Sequence, residues 1–312
     1  MIICCGEALI DMVPIEGCTG SLGNNNGYHP ISGGAIFNTA IALGRLGVPT
    51  GFLSGLSNDL FGQQLCDSLS ESGVDYRYSN RMDAPTTLSF VKLINGQASY
   101  AFYDENTAGR LLDLSHLPSL LANTQALHFG AISLIPEPCG STYEALMKRE
   151  YKGRIISFDP NIRTSFISDE ISYRKRIDRM LGMSDIVKIS DEDLNWLAPG
   201  ANIHDFAHQL LEKNSSLVLY TEGAKGATAF TKTVKYFEPG LQVEMIDAIG
   251  AGDSFNAGVL ASLYQQELLT KRKLKELSEE QIRSALRQGN KVAAFTVTQT
   301  GSNPPWKKQI NL

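Results

Sequence analysis

Apolar runs and amphipathic segments alternate along most of this chain. Runs rich in isoleucine, leucine, valine and phenylalanine predict buried strands at residues 2–13, 50–56, 126–129, 154–158, 185–189 and 217–221. Helical spacing of apolar residues predicts helices at residues 35–46, 59–72, 173–183, 251–263 and 282–297, with one more after Pro138. Because buried strands separated by helices pair in parallel, the pattern predicts an α/β fold with a mostly parallel central sheet.

The alternation is interrupted in one place. Residues 86–94 and 98–103 are β-rich runs around Asn95-Gly96, a hairpin signal, with no helix between them. Phe90, Phe102 and Tyr103 would let such a hairpin close apolar surface over a ligand, although strand aromatics more often serve sheet packing. We therefore predict one domain over residues 1–312, with a small β-lid formed by about residues 13–31 and 86–106 inserted in it.

Composition excludes several classes of protein. With 312 residues, 43% of them apolar, the chain can bury a large core, and its net charge of −5 argues against a sequence-independent nucleic-acid binder. The N-terminal residues carry neither a cationic start nor an apolar run of membrane length, so we expect a cytoplasmic protein. Cysteines at 4, 5, 18, 66 and 139 form no CxxC pair and are predicted to be reduced.

A glycine turn precedes the helix at 251–263. Gly250 and Gly252 allow tight backbone conformations, and the free N–H groups at the helix start then favour an anion such as a phosphate. Asp253, next to that turn, is placed to abstract a proton, so the stretch fits phosphoryl transfer. Glycine turns also precede helices for structural reasons alone, and the turn by itself leaves both interpretations open.

A second glycine pair, Gly33-Gly34, precedes the helix at 35–46. Asn38 falls one turn inside this helix, where its amide is either solvent-exposed or available to a small polar ligand. Asp11 is a carboxylate among apolar strand residues, and either a nearby turn or a polar ligand would satisfy it.

Two polar clusters follow strand ends, at residues 159–163 and 188–193, where ligands bind in open α/β sheets, and a glycine turn follows the strand at 217–221, at residues 222–227. The chain has no GxxxxGK[ST] loop, no GxGxxG after its first strand and no protein-kinase motif set. His204 and His208 have the spacing of metal ligands, but their helix turns both toward solvent and supplies no third ligand, so metal binding there is disfavoured.

The stretch 32–47, with Gly33, Gly34 and Asn38, and the stretch 247–253 resemble the two signatures of the ribokinase-like (PfkB) carbohydrate kinase family. Their order and separation also match, and further similarity at 6–11, 95–96, 159–163 and 221–226 extends the resemblance over nearly the whole chain. Within the family, the start of the chain and the lid stretch 101–108 are most similar to bacterial fructokinases. The resemblance implies a three-layer α/β/α, ribokinase-like fold.

The resemblance also implies roles for individual residues. It makes Asp253 the base, forms an anion hole from Gly250, Ala251 and Gly252, and puts Arg163 near the transferred phosphate. The residues implied to bind the sugar are Asp11, Gly33, Gly34, Asn38, Asp253 and the lid aromatics Phe90, Phe102 and Tyr103. The residues implied to border ATP are Asn161, Lys188, Thr221, Gly223, Gly226, Gly252 and Asn290.

The family commonly requires Mg²⁺ and is often activated by K⁺. The resemblance suggests Asp193 as a water-mediated Mg²⁺ contact, and Asp247, Ile249, Thr296 and Gly301 around K⁺. This chain departs from the family pattern in three ways: Ala248 replaces a usual Thr, Ser190 and Asp193 replace an Asn-x-x-Glu motif, and Glu222 lies next to the nucleotide loop.

These implications lead to an expected activity. We expect an ATP-dependent kinase that phosphorylates the terminal hydroxyl of fructose, forms a homodimer through its lid and binds neither nucleic acid nor membrane. Alternative acceptors within the family are 2-keto-3-deoxygluconate and ribose, but the lid aromatics provide no cation for an acidic sugar. A hypothesis of another class is a sugar-binding regulatory protein that has lost catalysis, which Ala248 and Asp193 keep open and the intact Asp253 disfavours.

Overall fold

The computed structural model describes residues 1–15, 27–94 and 97–310, with the backbone alone at 91–94 and 97–100. Over these residues, a nine-stranded sheet forms the centre of the molecule, in the order β15-β14-β13-β12-β11-β10-β1-β4-β6. Its strands are β1 (Ile2–Cys5), β4 (Thr50–Leu53), β6 (Val74–Asp75), β10 (Ala126–Gly130), β11 (Ile155–Asp159), β12 (Ile186–Ser190), β13 (Leu217–Thr221), β14 (Gly226–Phe230) and β15 (Lys235–Pro239). All neighbours pair in parallel except for the β13–β14 and β14–β15 pairs, so the predicted mostly parallel sheet is confirmed.

Helices cover both faces of this sheet. They are α1 (Ala35–Arg45), α2 (Leu60–Glu71), α3 (Cys139–Glu150), α4 (Glu170–Leu181), α5 (Asp191–Leu197), α6 (Ile203–Lys213), α7 (Ala251–Gln265), α8 (Lys271–Lys275) and α9 (Glu279–Val297). One buried cluster joins the sheet to α1, α2, α7, α8 and α9, and a second joins the opposite face to α3, α4 and α6. The three-layer arrangement is therefore confirmed.

The strand predicted at 2–13, with an interruption at Gly6, is two strands of different sheets, because the chain changes sheets at Gly6. β1 belongs to the central sheet, whereas β2 (Leu9–Pro14) pairs with β3 (Tyr28–Gly33) and β8 (Leu88–Ile94). At Gly6 a Cβ atom would lie 2.5 Å from Cγ1 of Ile36, so the absence of a side chain lets helix α1 pack against the crossover. Apolar content is continuous across both strands, which is why the pattern did not separate them.

A second sheet of four strands lies beside the first over the described residues, in the order β3-β2-β8-β9, with β9 at Gln97–Tyr103. β8 and β9 pair antiparallel, as a hairpin requires. The predicted Asn95-Gly96 turn and residues 16–26 of the predicted lid lie outside the described residues. Two short strands, β5 (Gly55–Ser57) and β7 (Asn80–Met82), form a separate pair.

The direction of the chain across the sheet reverses between two neighbouring strands. From β1 the chain moves outward through β4 and β6, and it then returns to β10 on the other side of β1 and continues through β11, β12 and β13. Such a reversal opens a crevice at the carboxyl ends of the strands, where open α/β sheets bind ligands. The first turns of α1 and α7 and the loops after β11 and β12 are joined there by hydrogen bonds.

Four of the five cysteines lie in the described part of the chain. Cys4, Cys5, Cys66 and Cys139 are buried and unpaired, as predicted, and Cys18 lies outside the described residues. Among the described helices, none combines the length and the apolar content of a membrane span.

Candidate active site

The turn before α7 has the predicted glycine-requiring backbone at Gly250 but not at Gly252. Gly250 is the N-cap of the helix, with φ of +78°, and a Cβ atom there would lie 2.1 Å from Oγ of Ser302. Only glycine fits this position, since both the left-handed backbone and the contact exclude a side chain. Gly252 is different: a Cβ atom there would lie 3.5 Å from Nζ of Lys188, so glycine leaves room above a lysine rather than avoiding a clash.

The N–H groups of this turn are not equivalent. The N–H of Ala251 donates to the Ala248 carbonyl at 3.3 Å, whereas those of Gly252 and Asp253 have no acceptor in the part of the chain that the structure describes. The first turn of a helix leaves such donors without intrahelical partners and favours an anion. The anion hole therefore stays a prediction, with Gly252 and Asp253 as its strongest donors.

Asp253 is buried at the bottom of this crevice. Its Oδ2 atom accepts a hydrogen bond from Nδ2 of Asn38 at 2.9 Å, and its carbonyl accepts one from the Thr39 hydroxyl at 3.3 Å. Burial raises the pKa of Asp253 from 3.8 to about 7, because the hydrogen bond from Asn38 and the charges of Arg163 and Lys188 only partly offset it and Asp159 adds repulsion. A carboxylate with this pKa is matched to proton abstraction near neutral pH.

The other predicted sugar residues, Asp11, Gly33 and Gly34, lie around the turn that leads into α1, the helix that carries Asn38. A Cβ atom on Gly33 would lie 2.3 Å from Oδ2 of Asp11, so the glycine brings the β3–α1 turn directly against this carboxylate. Burial raises the pKa of Asp11 to about 6. Gly34 is the N-cap of α1 and has a φ angle of +106°. A Cβ atom added to Gly34 would lie 2.9 Å from the carbonyl oxygen of Glu7.

Glu7 supports this turn, and sequence reasoning gave it no role. Its Oε1 atom accepts hydrogen bonds from the backbone N–H groups of Ala35, at 2.8 Å, and Ile36, at 3.4 Å. Burial raises the pKa of Glu7 to about 7. A carboxylate at the N-terminus of α1 fixes the helix that carries Asn38. The Gly6-Glu7 pair next to the first strand was the only signal of this contact in the sequence.

The lid aromatics divide between two groups. The ring of Phe90 makes edge contacts with Tyr28 and Tyr103, at centroid distances of 5.3 and 5.5 Å. The ring of Phe102 instead contacts Phe166, which follows the predicted phosphate residue Arg163, at 3.8 Å. The second sheet is thereby joined to the loop after β11, while Tyr103 remains 63% exposed.

The loop after β11 is a local turn. Oδ1 of Asp159 accepts a hydrogen bond from the N–H of Asn161 at 3.2 Å, and Asn161 has φ of +41°, which asparagine tolerates. The turn leaves Arg163 exposed, with its guanidinium donating to the Ile162 carbonyl at 3.1 Å. Arg163 can therefore reach into the crevice, where its charge already lowers the pKa of Asp253.

Asp193 has a structural duty in addition to its predicted role. Its Oδ2 atom accepts hydrogen bonds from the N–H and hydroxyl of Ser190, and the Ser190 hydroxyl accepts one from the Asp193 N–H, which forms a capping box at α5. Its Oδ1 atom accepts from the N–H of Ile162 at 2.8 Å. The carboxylate thus links the loops after β11 and β12, and its contact with Mg²⁺ stays a prediction.

The predicted nucleotide residues border the antiparallel edge of the sheet. Thr221 ends β13, and Gly223 and Gly226 have positive φ angles of 55° and 124° in the turn that follows. Nζ of Lys225 lies 3.3 Å from Oε1 of Glu222, which gives that unexpected acid a partner at the surface. The Nδ2 atom of Asn290 donates to the carbonyls of Glu238 and Pro239, so this side chain ties α9 to the end of β15.

The predicted K⁺ residues fall into two parts. The carboxylate of Asp247 accepts hydrogen bonds from the N–H groups of Ile249 and Gly301, both at 3.0 Å, and so holds two loops together. The Thr296 hydroxyl is buried and bonds to Oγ of Ser254 and to the Val292 carbonyl. Asp247, Ile249 and Gly301 are therefore brought together, whereas the Thr296 side chain points into the packing of α7 against α9.

The described residues contain no group of three or more His, Cys, Asp or Glu side chains that could hold a metal ion. His204 and His208 lie exposed on α6, and His204 contacts Lys235 and the ring of Phe230.

The crevice brings together the Gly33-Gly34 turn, the buried carboxylate of Asp253 and the glycine turn at the start of α7 on one three-layer fold. The model of the pfkB family of carbohydrate kinases matches residues 1–309, and the chain belongs to this family. Among its relatives, a fructokinase of Rhizobium leguminosarum bv. trifolii is 52% identical over 284 residues, which cover 91% of this chain and 86% of the relative.

Solved structures agree with this assignment. A fructokinase from Xylella fastidiosa with bound ATP superposes with a TM-score of 0.88 at 31% identity, over 96% of this chain and 93% of that chain. A fructokinase from Vibrio cholerae O395, in its fructose, ADP and calcium ion bound form, gives a TM-score of 0.81 at 28% identity, over 96% and 94% of the two chains.

Proposed function

We propose that this protein transfers the γ-phosphoryl group of ATP to the terminal hydroxyl of fructose. The observation that carries the proposal is the 2.9 Å hydrogen bond between Asn38 and Asp253. It joins the helix of the sugar-side turn to the base at the anion-binding turn, so an acceptor hydroxyl and a phosphoryl group would meet at one carboxylate. The 52% identity to a fructokinase supports fructose as the acceptor.

The proposed reaction requires one proton transfer. The ionised carboxylate of Asp253 takes the proton from the acceptor hydroxyl, and the sugar oxygen then forms a bond to the γ-phosphorus. The bond from that phosphorus to the β,γ-bridging oxygen breaks, and ADP leaves with the electron pair. Gly252 and Asp253 would donate backbone N–H groups to the migrating group, while Arg163 and Lys188 would supply positive charge.

Sugar recognition would come from the opposite wall. Asp11, Gly33, Gly34 and Asn38 would contact the sugar hydroxyls, and the Phe102 ring would cover the sugar, because Asp11 and Phe102 both pair with Ser89 and so share one face of the second sheet. Phe90 and Tyr103 lie on the opposite face. The aromatic rings of the lid carry no cation, which favours a neutral sugar over 2-keto-3-deoxygluconate. On the nucleotide side, Asn161, Thr221, Gly223, Gly226 and Asn290 would border ATP.

Two cations complete the proposal. Mg²⁺ supplies charge neutralisation on the phosphate oxygens when it is bound. The described residues offer no dedicated carboxylate cage, which suits an ion held mainly by phosphates and water, with Asp193 contacting it through water. We place K⁺ at Asp247 and the carbonyls near Ile249 and Gly301, and the engaged Thr296 hydroxyl would take no part.

A coupled assay of ADP release tests the activity. We expect kcat/KM to be highest for fructose in a panel with ribose, 2-keto-3-deoxygluconate and nucleosides, and Asp253→Asn to lower kcat by about 10²–10⁴-fold. A preference for another acceptor would overturn fructose as substrate. Sugar binding by calorimetry without ADP release in wild-type protein would instead support the regulatory alternative.

The proposal includes an assembly and a location. We propose a homodimer that associates through the second sheet, because β3 and β9 are its outer strands over the described residues and the exposed Tyr28 and Tyr103 rings lie on it. We place it in the cytoplasm, since the reaction consumes ATP and the four described cysteines are unpaired thiols.

A further inference from the structure

One buried carboxylate at the crevice has no part in the chemistry described so far. Asp159 ends β11 and is only 3% exposed. Its Oδ2 atom lies 3.2 Å from Nζ of Lys188 and accepts a hydrogen bond from Nδ2 of Asn256 at 2.7 Å, while Oδ1 binds the Asn161 N–H. A single carboxylate therefore gathers donors from β12, from α7 and from its own turn.

Two of these donors adjoin the phosphoryl-transfer site. The ammonium group of Lys188 lies next to Gly252: a Cβ atom added to Gly252 would be 3.5 Å from Nζ of Lys188. Asn256 lies three residues after Asp253 on the same face of α7, and both are buried. Asp159 thus holds the ammonium group of Lys188 next to the proposed anion-binding turn, and it ties the first turns of α7 to the end of β11.

We propose that Asp159 is a positioning residue for phosphoryl transfer: through Lys188 and Asn256 it holds the anion-binding turn and Asp253 in their reacting arrangement. The inference rests on the proposed kinase function. A simpler role would be to neutralise a buried lysine, as Asp185 does for Lys271 elsewhere in the molecule. The two roles differ in whether the charge of Asp159 also affects the position and the pKa of groups at the proposed reaction site, above all Asp253.

The charges that face this cluster come from several elements. Burial alone would lower the pKa of Lys188, but Asp159, Asp193 and Asp253 raise it, so the lysine stays protonated. The charge of Asp159 raises the pKa of Asp253, whereas Asn38, Arg163 and Lys188 lower it. Removing the charge at residue 159 should therefore make Asp253 a weaker base as well as release the lysine.

Asp185 provides a matched control. It is 2% exposed, its carboxylate lies 2.7 Å from Nζ of Lys271, and it accepts a hydrogen bond from the Ile156 N–H. It immediately precedes β12, at the end of the strands opposite to the crevice. Asp159→Asn and Asp185→Asn each remove a buried carboxylate from a lysine pair, so both should lower Tm.

The experiment measures kcat, KM for fructose and the pH profile of kcat/KM in both variants. For Asp159→Asn we expect kcat to fall about 10-fold or more with KM within about 3-fold, and the acid limb to move to lower pH by about 0.5 to 1 pH unit. For Asp185→Asn we expect wild-type kinetics. Equal kinetic effects in the two variants, or an unmoved acid limb in Asp159→Asn, would overturn the positioning role.

A second variant guards against misfolding of the first. Asn256→Ala keeps every charge but frees α7 from Asp159, so we expect kcat to fall several-fold while the acid limb stays in place. Wild-type kcat in Asn256→Ala would also overturn the proposal. The wild-type protein is assayed first. If it releases no ADP with any sugar, that result contradicts the proposed function itself.

Discussion

Asp253 combines a chemical advantage with a structural cost. Its carboxyl titrates near 3.8 in an unfolded chain and at about 7 in the folded protein, so the fold favours the protonated form. The stability that this group contributes is complete below about pH 3.8 and is lost as the pH rises through about 7. The proposed role of Asp253 as the base needs the ionised form, which is the less stable one, as is common for active-site groups.

Because the ionised form of Asp253 is the less stable one, we can predict how Asp253→Asn changes the free energy of unfolding. At pH 8 the variant should be more stable than wild type by about 1 to 4 kcal/mol, since the neutral amide avoids burying a charge, and the difference should shrink toward pH 4. Thermal unfolding at several pH values measures it. Asp178→Asn is a suitable control, because its side chain is 70% exposed and should change stability by less than about 0.5 kcal/mol.

The activity of wild-type protein should follow the same titration. We expect kcat/KM to fall below about pH 7, as the base becomes protonated. A pH profile that stays flat down to pH 5 would contradict the assignment of Asp253 as the base, and so would a less stable Asp253→Asn at pH 8.

At the scale of elements, close approaches of the backbone place the sugar-side residues. Gly33 meets Asp11 because β3 and β2 pair directly, with Gly33 opposite Leu9 and Ile31 opposite Asp11. The added methyl group of Gly33→Ala would lie 2.3 Å from the Asp11 carboxylate, so either the carboxylate or the turn has to move.

We expect Gly33→Ala to raise KM for fructose by about 10-fold or more, with a smaller change in KM for ATP. Steady-state kinetics with each substrate varied in turn measures this split. Gly153→Ala is the matched control, because a Cβ atom there meets only the Glu150 carbonyl, at 3.9 Å. Equal effects on both substrates would argue against a sugar-side role for the turn.

The capping box at α5 allows the two roles of Asp193 to be separated. Ser190→Ala removes the cap and should lower stability by about 1 kcal/mol, and Asp193→Asn should cost a similar amount. If Asp193 also contacts Mg²⁺ through water, only Asp193→Asn should raise the Mg²⁺ concentration needed for half-maximal activity, by about 3-fold or more. The same Mg²⁺ requirement in both variants would leave Asp193 with its structural role alone.

At the scale of the whole molecule, a chain crossover and an aromatic contact link the second sheet to the rest of the fold. The second sheet is attached to the central one through the β1–β2 crossover at Gly6 and through the rings of Phe102 and Phe166. Its Tyr28, Phe90 and Tyr103 cluster continues to the surface, where Tyr28 is 38% and Tyr103 63% exposed.

This surface predicts the oligomeric state. Tyr103→Arg places a charge in the proposed dimer contact and should convert a dimer into a monomer, as measured by light scattering. Ile171→Arg is the control, because Ile171 is 69% exposed on α4, outside the second sheet, and should leave the dimer intact. A wild-type monomer at high protein concentration would contradict the proposed assembly.

The sequence by itself determined what local physics encodes. Periodicity predicted the parallel sheet and its helices, and the glycine turns indicated both halves of the proposed site, because left-handed and crowded backbone at Gly34 and Gly250 demands glycine. Periodicity could not divide β1 from β2, since both are apolar and the difference between them lies in which sheet each joins.

Only the tertiary structure decided how distant residues act on each other. Asn38 and Asp253 are 215 residues apart in the chain, and Asp159 and Asn256 are 97 apart, yet each pair shares a hydrogen bond. The pKa of Asp253, the engagement of Asp193 and Thr296 and the support that Glu7 gives to α1 all depend on burial and on partners from other elements. Such quantities arise from packing, and no local pattern of residues carries them.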